Sequence, residues 1–196
     1  MTKNRLEAFS DGVLAIIITI MVLEMQTPHD AGWDALRPMI PVFMSYALSF
    51  VFLGIYWSNH HHLIHAAQHV DGRTLWANLH LLFWLSLTPF VTRWMGESHF
   101  AAVPVAVYGV VLFLAACAYY VLARTLIALH GSDSQLARAL GADYKGKVSI
   151  LIYASAIALA FVERRVSLAL YVLVAVMWLV PDRRLERSSG VSGAGR

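Results

Sequence analysis

Apolar stretches long enough to cross a membrane recur along nearly the whole chain, and they restrict the possible folds more than any other feature. A helix needs about 20 apolar residues to span the hydrocarbon core of a bilayer. Of the 196 residues, 59% are hydrophobic and 14% are charged, and the mean hydropathy is +0.61. Soluble domains carry about 25% charged residues. The sequence therefore predicts an all-α integral membrane protein with no separate soluble domain.

Six candidate spans lie between segments rich in polar, glycine and proline residues, which end helices. These spans are residues 4–26, 35–62, 73–95, 103–128, 146–162 and 166–181. We expect residues 1–187 to form a single six-helix transmembrane domain. Residues 188–196 have the composition of a linker, and we expect a flexible tail there.

The distribution of lysine and arginine predicts the orientation of the chain. If the N-terminus lies inside, eleven of these residues fall on inner segments and four on outer segments. Basic residues are enriched in cytoplasmic loops, so both termini are predicted to be cytoplasmic. The same loops account for the sequence pI of about 9.2, and no nucleic-acid partner is expected.

The first span carries a stripe of five residues at alternating steps of four and three, which places them on one helix face. They are Gly12, Ile16, Thr19, Leu23 and Gln26. The other faces are apolar too, so protein or lipid is expected all around this helix. Ordinary helix packing explains such a stripe, with Gly12 allowing close approach and Thr19 bonding to its own backbone. Periodicity alone favours that interpretation over a functional one.

Asp11 lies inside the same span, where a charged side chain costs about 2.5–3.5 kcal/mol at the bilayer centre and less near the surface. Such a group normally has a partner or a function. Trp57 and His60 at the end of the second span, and Asn78 in the third, are candidate donors. Hydrogen bonds from them would lock the first three helices together. A proton relay through Asp11 is the alternative, although a carboxylate with several donors should stay ionised.

These residues resemble the motifs of a known family, the endolysosomal potassium channels named transmembrane protein 175, together with its bacterial members. The resemblance covers the chain as far as Phe90, and beyond it only the number and hydropathy of the helices agree. Each short motif is weak alone, but their order along the chain is fairly specific. The matching residues are Arg5-x-x-x-Phe9-Ser10-Asp11, Trp57-x-x-His60, Asp71, Asn78-Leu79 and Pro89-Phe90.

The resemblance implies a potassium-selective cation channel that lacks the carbonyl-lined TVGYG filter. In the family, the first helix lines the pore and bulky apolar side chains form its constriction. Members with one six-helix unit form tetramers, which implies a homotetramer around a central pore. A bacterial member would be a multi-pass protein of the inner membrane, with membrane lipid and potassium ions as its other partners. No cofactor is expected besides the permeant K⁺.

By position after the motif, the resemblance assigns a role to each residue of the stripe. Ile16 is implied as the constriction, Thr19 as a hydroxyl layer and Leu23 as a further apolar ring. The other implied pore-lining residues are Gly12, Ile20 and Gln26. Ala15 stands where some members carry a serine, so the polar layer beside the constriction would be thinner, which leaves the degree of selectivity open.

The motif residues at the mouth of the first helix have a different implied role. They would form an interhelical network rather than bind ions. Its members would be Arg5, Phe9, Ser10, Asp11, Trp57, His60 and Asn78. Glu24, just beyond Leu23, either concentrates cations at the outer mouth or is an ordinary solvated acid at a helix end.

A secondary ion transporter and a proton-conducting channel are the main alternatives. Transporters commonly show repeated halves and discontinuous helices, and neither is visible in this sequence. The histidines between His60 and His69 suggest a membrane metalloenzyme, because histidines three or four apart on a helix can share a metal. Such enzymes need several histidine clusters and this chain has one, so we expect neither a metal site nor an enzyme.

Overall fold

The computed structural model describes residues 2–28, 31–131, 133–134, 136–137 and 144–179. In these ranges the chain is helical, with turns between the helices and no strand. The α-helices are α1 Lys3–Leu23, α2 Ile40–Ala66, α3 Gly72–Ser86, α4 Thr88–Glu97, α5 Ala102–His130, α6 Tyr144–Leu159 and α7 Arg164–Leu179. The predicted all-α fold is confirmed for this part of the chain.

Within the described ranges, four helical segments are long and apolar enough to cross a membrane, and they correspond to the first four predicted spans. They are Lys3–Leu23, Trp33–Ala66, Gly72–Glu97 and Ala102–His130. α6 and α7 cover 16 described residues each, and each borders on residues outside the described ranges. The fifth and sixth spans therefore stay predictions, and the predicted tail at 188–196 lies outside the described residues.

The first two spans have different ends from those predicted. α1 ends at Leu23, so Gln26 lies beyond the helix and does not continue its stripe. The Met25 N–H donates to the Val22 carbonyl at 3.1 Å, a tight turn that closes the helix. The second span begins with a 3₁₀ helix, Trp33–Met39, and α2 then continues to Ala66.

The predicted third span is divided into two helices. α3 ends at Ser86 and α4 begins at Thr88. Pro89 has no N–H to donate to the carbonyl four residues earlier, so the helical ladder is interrupted there. The Val91 N–H donates to the Leu87 carbonyl at 3.2 Å, and the ladder resumes.

α1 packs on α2, α3 and α4, and only one of its faces is buried. The buried residues repeat at steps of four and three, and they are Leu6, Ser10, Leu14, Ile17 and Met21. The apolar members join a hydrophobic cluster that includes Leu53 of α2, Leu81 of α3 and Leu122 of α5. Inside a membrane such packing rests mainly on close van der Waals contact. The opposite face of α1 is left uncovered by the other described residues.

α5 packs with α4, α6 and α7 around a second cluster. Tyr108 and Tyr171 are fully buried at its centre. The Tyr171 hydroxyl donates to the Val105 carbonyl at 3.1 Å, and the Tyr108 hydroxyl lies 3.0 Å from Ser49 Oγ. The polar tips of both rings are therefore satisfied, as buried tyrosines require.

A glycine brings α4 close to α2. A Cβ atom on Gly96 would lie 2.6 Å from Ser45 Oγ and 2.7 Å from Val42 Cα, closer than real Cβ contacts allow. Only glycine fits this crossing without a shift of α2 or α4. The crossing fixes α4, and α4 forms one wall beside α1.

Candidate functional site

The uncovered face of α1 carries most of the stripe identified in the sequence. Ile16 is 58% exposed, Leu23 is 81% exposed, and Ile20 between them is 39% exposed. Gly12 and Thr19 on the same face are exposed as well. The stripe does not pack against any other described part of the chain, so the packing interpretation requires a cover from outside that part, such as lipid or another chain.

Thr19 adds a hydroxyl to this apolar face. The hydroxyl donates a hydrogen bond to the Ile16 carbonyl at 2.9 Å. That bond uses the hydrogen and leaves the acceptor lone pairs of the oxygen. A threonine held in this way can still coordinate a cation through its oxygen.

Buried hydrogen bonds join the other face of α1 to α2 and α3. Asn78 Nδ2 donates to Ser10 Oγ at 3.0 Å, and the Ser10 hydroxyl donates to the Leu6 carbonyl at 2.9 Å. His60 Nε2 lies 2.7 Å from Asn78 Oδ1. Because an amide oxygen only accepts, His60 carries a proton on Nε2 and donates it. Ser10, His60 and Asn78 are at most 1% exposed, so removing one partner leaves another unpaired in the interior.

Asp11 lies at the same end of the helices and is half-buried. Among the described residues, Trp57 alone donates to its carboxylate, from Nε1 to Oδ1 at 3.0 Å. His60 and Asn78, the other expected donors, bond to each other and to Ser10 instead. Asp11 therefore has one donor from α2 and none from α3 in this part of the chain.

The structure does not bring Arg5 and Phe9 into this network. Phe9 is 50% exposed, and the Arg5 guanidinium makes no hydrogen bond or ion pair with any residue in the described ranges. Arg5 lies 11 residues before Ile16 and Phe9 lies seven residues before it, which are close to whole numbers of helical turns. Both therefore share the face of Ile16 and not that of Ser10. None of the other described residues covers them, so both are available to another chain or to lipid.

Two further contacts bind the start of α1 to α2, and the sequence analysis missed both. The Lys3 ammonium donates to the His65 and Ala67 carbonyls, at 3.0 and 2.9 Å, where α2 ends. Glu7 Oε1 lies 2.9 Å from His61 Nδ1. Carbonyls at a helix C-terminus attract cations, but which lysine reaches them depends on tertiary structure.

The histidines at the end of α2 contact several different partners. His61 stacks on His65 with ring centroids 5.9 Å apart, and His69 packs on His130 of α5 at 4.6 Å. In the part of the chain that the structure describes, no three His, Cys, Asp or Glu side chains are arranged to hold a metal ion. The geometry offers no metal centre there.

An open groove of about 740 Å³ runs between α1 and α4. Ile16 and Ile20 line one wall, and Phe90 and Trp94 line the other. Phe90 is 63% exposed and Trp94 is 36% exposed. The groove extends the uncovered apolar face of α1, and its chemistry suits a neighbouring helix or lipid chains.

Charged side chains close one end of this groove, and Glu24 is among them. Arg93 Nη1 donates to Glu24 Oε2 at 2.6 Å, and Arg93 Nε donates to Glu97 Oε1 at 2.8 Å. Glu24 is therefore ion-paired, whereas the sequence analysis treated it as a free acid. The three side chains are 37–46% exposed, so water screens the pairs and they add little to stability.

Comparisons with known proteins identify the family of this chain. The family model of the endosomal/lysosomal potassium channel TMEM175 matches residues 5–89, which include all helices of the buried network. A protein of Chryseobacterium sp. (strain P1-3), named a potassium channel, is 52% identical over 188 residues, covering 96% of this chain and 98% of that protein. A Danio rerio protein named endosomal/lysosomal proton channel TMEM175 is 36% identical over 135 residues, 66% of this chain and 25% of that protein.

A solved structure matches the fold over nearly the whole chain. It is the crystal structure of a lysosomal potassium-selective channel TMEM175 homolog from Chamaesiphon minutus, with a TM-score of 0.78 at 25% identity. The match covers 91% of this chain and 96% of that one. The resemblance seen in the motifs is thereby confirmed, and the chain is a multi-pass membrane protein that belongs to the TMEM175 channel family.

Proposed function

We propose that this chain is a potassium-selective channel of the bacterial inner membrane that conducts passively. One observation carries the proposal. α1 is anchored to α2 and α3 on one face, while its opposite face presents Ile16, Thr19 and Leu23 outside the subunit. A bacterial relative that spans nearly the whole chain is named a potassium channel, which supports the same assignment.

One α1 helix cannot enclose a pore, so the channel requires several copies. A homotetramer with closed rotational symmetry would bring four exposed α1 faces to a common axis. The apolar groove between α1 and α4 would then receive part of a neighbouring subunit. In this arrangement both termini are cytoplasmic, as the lysine and arginine distribution predicts.

In such an assembly Ile16 would form the narrow part of the pore. Water and ions leave a narrow apolar ring unless it widens, so the ring can gate by dewetting. Potassium loses its hydration water more readily than sodium, and a tight ring therefore favours potassium. The Thr19 oxygens would replace part of the lost hydration, and Leu23 would add a second apolar ring. Gly12 and Ile20 would line the pore on either side of the constriction. Gln26 would lie beyond the end of the helix.

The buried network would hold the pore helix in register rather than bind ions. Ser10 and Asp11 are tied to Asn78 and Trp57, so α1 cannot rotate freely about its own axis. Lys3 fastens the start of the same helix to the end of α2. Arg5 and Phe9 would contact neighbouring subunits, since they lie on the exposed face.

Reconstitution tests the function directly. Purified chain in liposomes should pass K⁺ faster than Na⁺ under matched gradients. The current should follow the membrane potential, should not saturate, and should not depend on the transport of a second ion. Empty liposomes are the control. Proton flux without K⁺ preference would favour the proton-conducting alternative, and coupled, saturating flux would favour a transporter. Either result would overturn the proposal.

A further inference from the structure

Arg93 holds two carboxylates that come from different helices. Glu24 follows the last residue of α1, and Glu97 is the last residue of α4. Arg93 donates to Glu24 at 2.6 Å and to Glu97 at 2.8 Å, through separate nitrogens. Because 37–46% of each side chain is exposed, ions in the adjoining water feel the summed charge of the cluster.

This cluster lies next to the exposed face of α1 that would line the ion path. Glu24 directly follows Leu23, which is 81% exposed on the free face of α1. The cluster also closes the end of the α1–α4 groove. Two carboxylates and one guanidinium leave a net charge of one negative unit in each subunit. A tetramer would carry four such units around the mouth opposite the N-terminus.

We infer that Arg93 is a specificity-determining residue of this channel: it lowers the negative charge of the outer mouth and occupies the carboxylates that would otherwise bind divalent cations. The inference rests on the proposed function. Carboxylate oxygens are the preferred ligands of Ca²⁺ and Mg²⁺. A guanidinium bonded to Glu24 and Glu97 competes for the same oxygens, and the remaining charge still attracts monovalent cations.

The size of the effect depends on salt. Four charges about 10 Å from an ion in water change its local concentration about seven-fold when the Debye length is about 30 Å, near 0.01 M salt. At 1 M salt the Debye length is about 3 Å, and the same charges change the concentration by less than about 1.2-fold. An electrostatic role therefore disappears in high salt, whereas a purely structural role does not.

The test compares single-channel K⁺ conductance of purified full-length variants in planar bilayers at low and high KCl. Glu24→Gln should lower the conductance several-fold at low salt and leave it unchanged at high salt. Arg93→Gln should raise it at low salt and make the channel sensitive to block by Ca²⁺ added on the outer side. Arg93→Lys keeps the charge and should keep the original K⁺ conductance at low salt. Glu163→Gln is the matched control. It removes one exposed carboxylate from the turn between α6 and α7, which is on the same side of the membrane as Glu24 if the six predicted spans alternate.

Several outcomes would overturn the inference. Equal effects at low and high salt, or no Ca²⁺ block in Arg93→Gln, would make Arg93 a structural link only. An equal change in Glu163→Gln would show a general surface effect. If Arg93→Gln does not assemble, the conductance of Glu24→Gln at low and high salt decides the test, because that variant retains Arg93. No K⁺ current in the original protein would refute the proposed function itself, which separates the two failures.

Discussion

Replacing Asn78 with alanine removes the amide that joins α1 to α2. Asn78 bonds to Ser10 and His60 in the interior, at 3.0 and 2.7 Å. Hydrogen bonds between membrane helices are worth about 0.6 kcal/mol each, and leaving the buried His60 donor unpaired adds about 1–3 kcal/mol. We expect Asn78→Ala to lower the free energy of unfolding by about 2–4 kcal/mol.

A second asparagine supplies the control. Asn59 Nδ2 donates at 2.8 Å to the Ile55 carbonyl of its own helix, so Asn59→Ala removes the same amide without separating two helices. We expect that change to cost about 0.5–1 kcal/mol. Unfolding of the purified variants in detergent, followed by tryptophan fluorescence, measures both. Equal losses for the two variants would refute the claim that the buried network fixes α1.

Two other predictions concern α3 and α4. The Thr74 N–H and hydroxyl bond to Asp71, the N-cap of α3, and hold the pKa of its carboxyl below the ordinary 3.8. The charged cap therefore stabilises the fold at neutral pH and is lost as the pH falls through the lowered pKa. Asp71→Ala should lower the unfolding temperature at neutral pH, and the difference should vanish in strong acid. Gly96→Ala should destabilise the α2–α4 crossing by about 1–3 kcal/mol. Gly54→Ala, in open space, should be neutral or stabilising in the same thermal assay.

Hydropathy was sufficient to predict the helical fold and the first four spans. A long apolar run inside a membrane folds as a helix, because a helix forms its backbone hydrogen bonds within the same segment. Helix ends were less predictable. The division at Leu87 and the early end of α1 at Leu23 depend on individual backbone bonds, which apolar composition does not determine.

The site was predictable where a motif placed polar residues inside apolar helices. Ser10, Asp11 and Asn78 stood out because each is costly in that environment unless it is paired. Their pairing pattern was not predictable, since Asn78 bonds to Ser10 and not to Asp11. The pair between Glu24 and Arg93 spans 69 residues, and no periodicity connects the two positions.

The central claim is that copies of α1 meet at a shared axis with Ile16 at the narrowest point. The most direct measurement is the reversal potential of the reconstituted channel between K⁺ and Na⁺ solutions, for Ile16→Asn and Val22→Asn. Val22 is 46% exposed on the same helix but lies about 120° around it from Ile16. We expect Ile16→Asn to have a larger conductance and a reversal potential close to zero, because the channel no longer prefers K⁺ over Na⁺. We expect Val22→Asn to keep the conductance and the reversal potential of the original protein. Retained selectivity in Ile16→Asn, or lost selectivity in Val22→Asn alone, would contradict it.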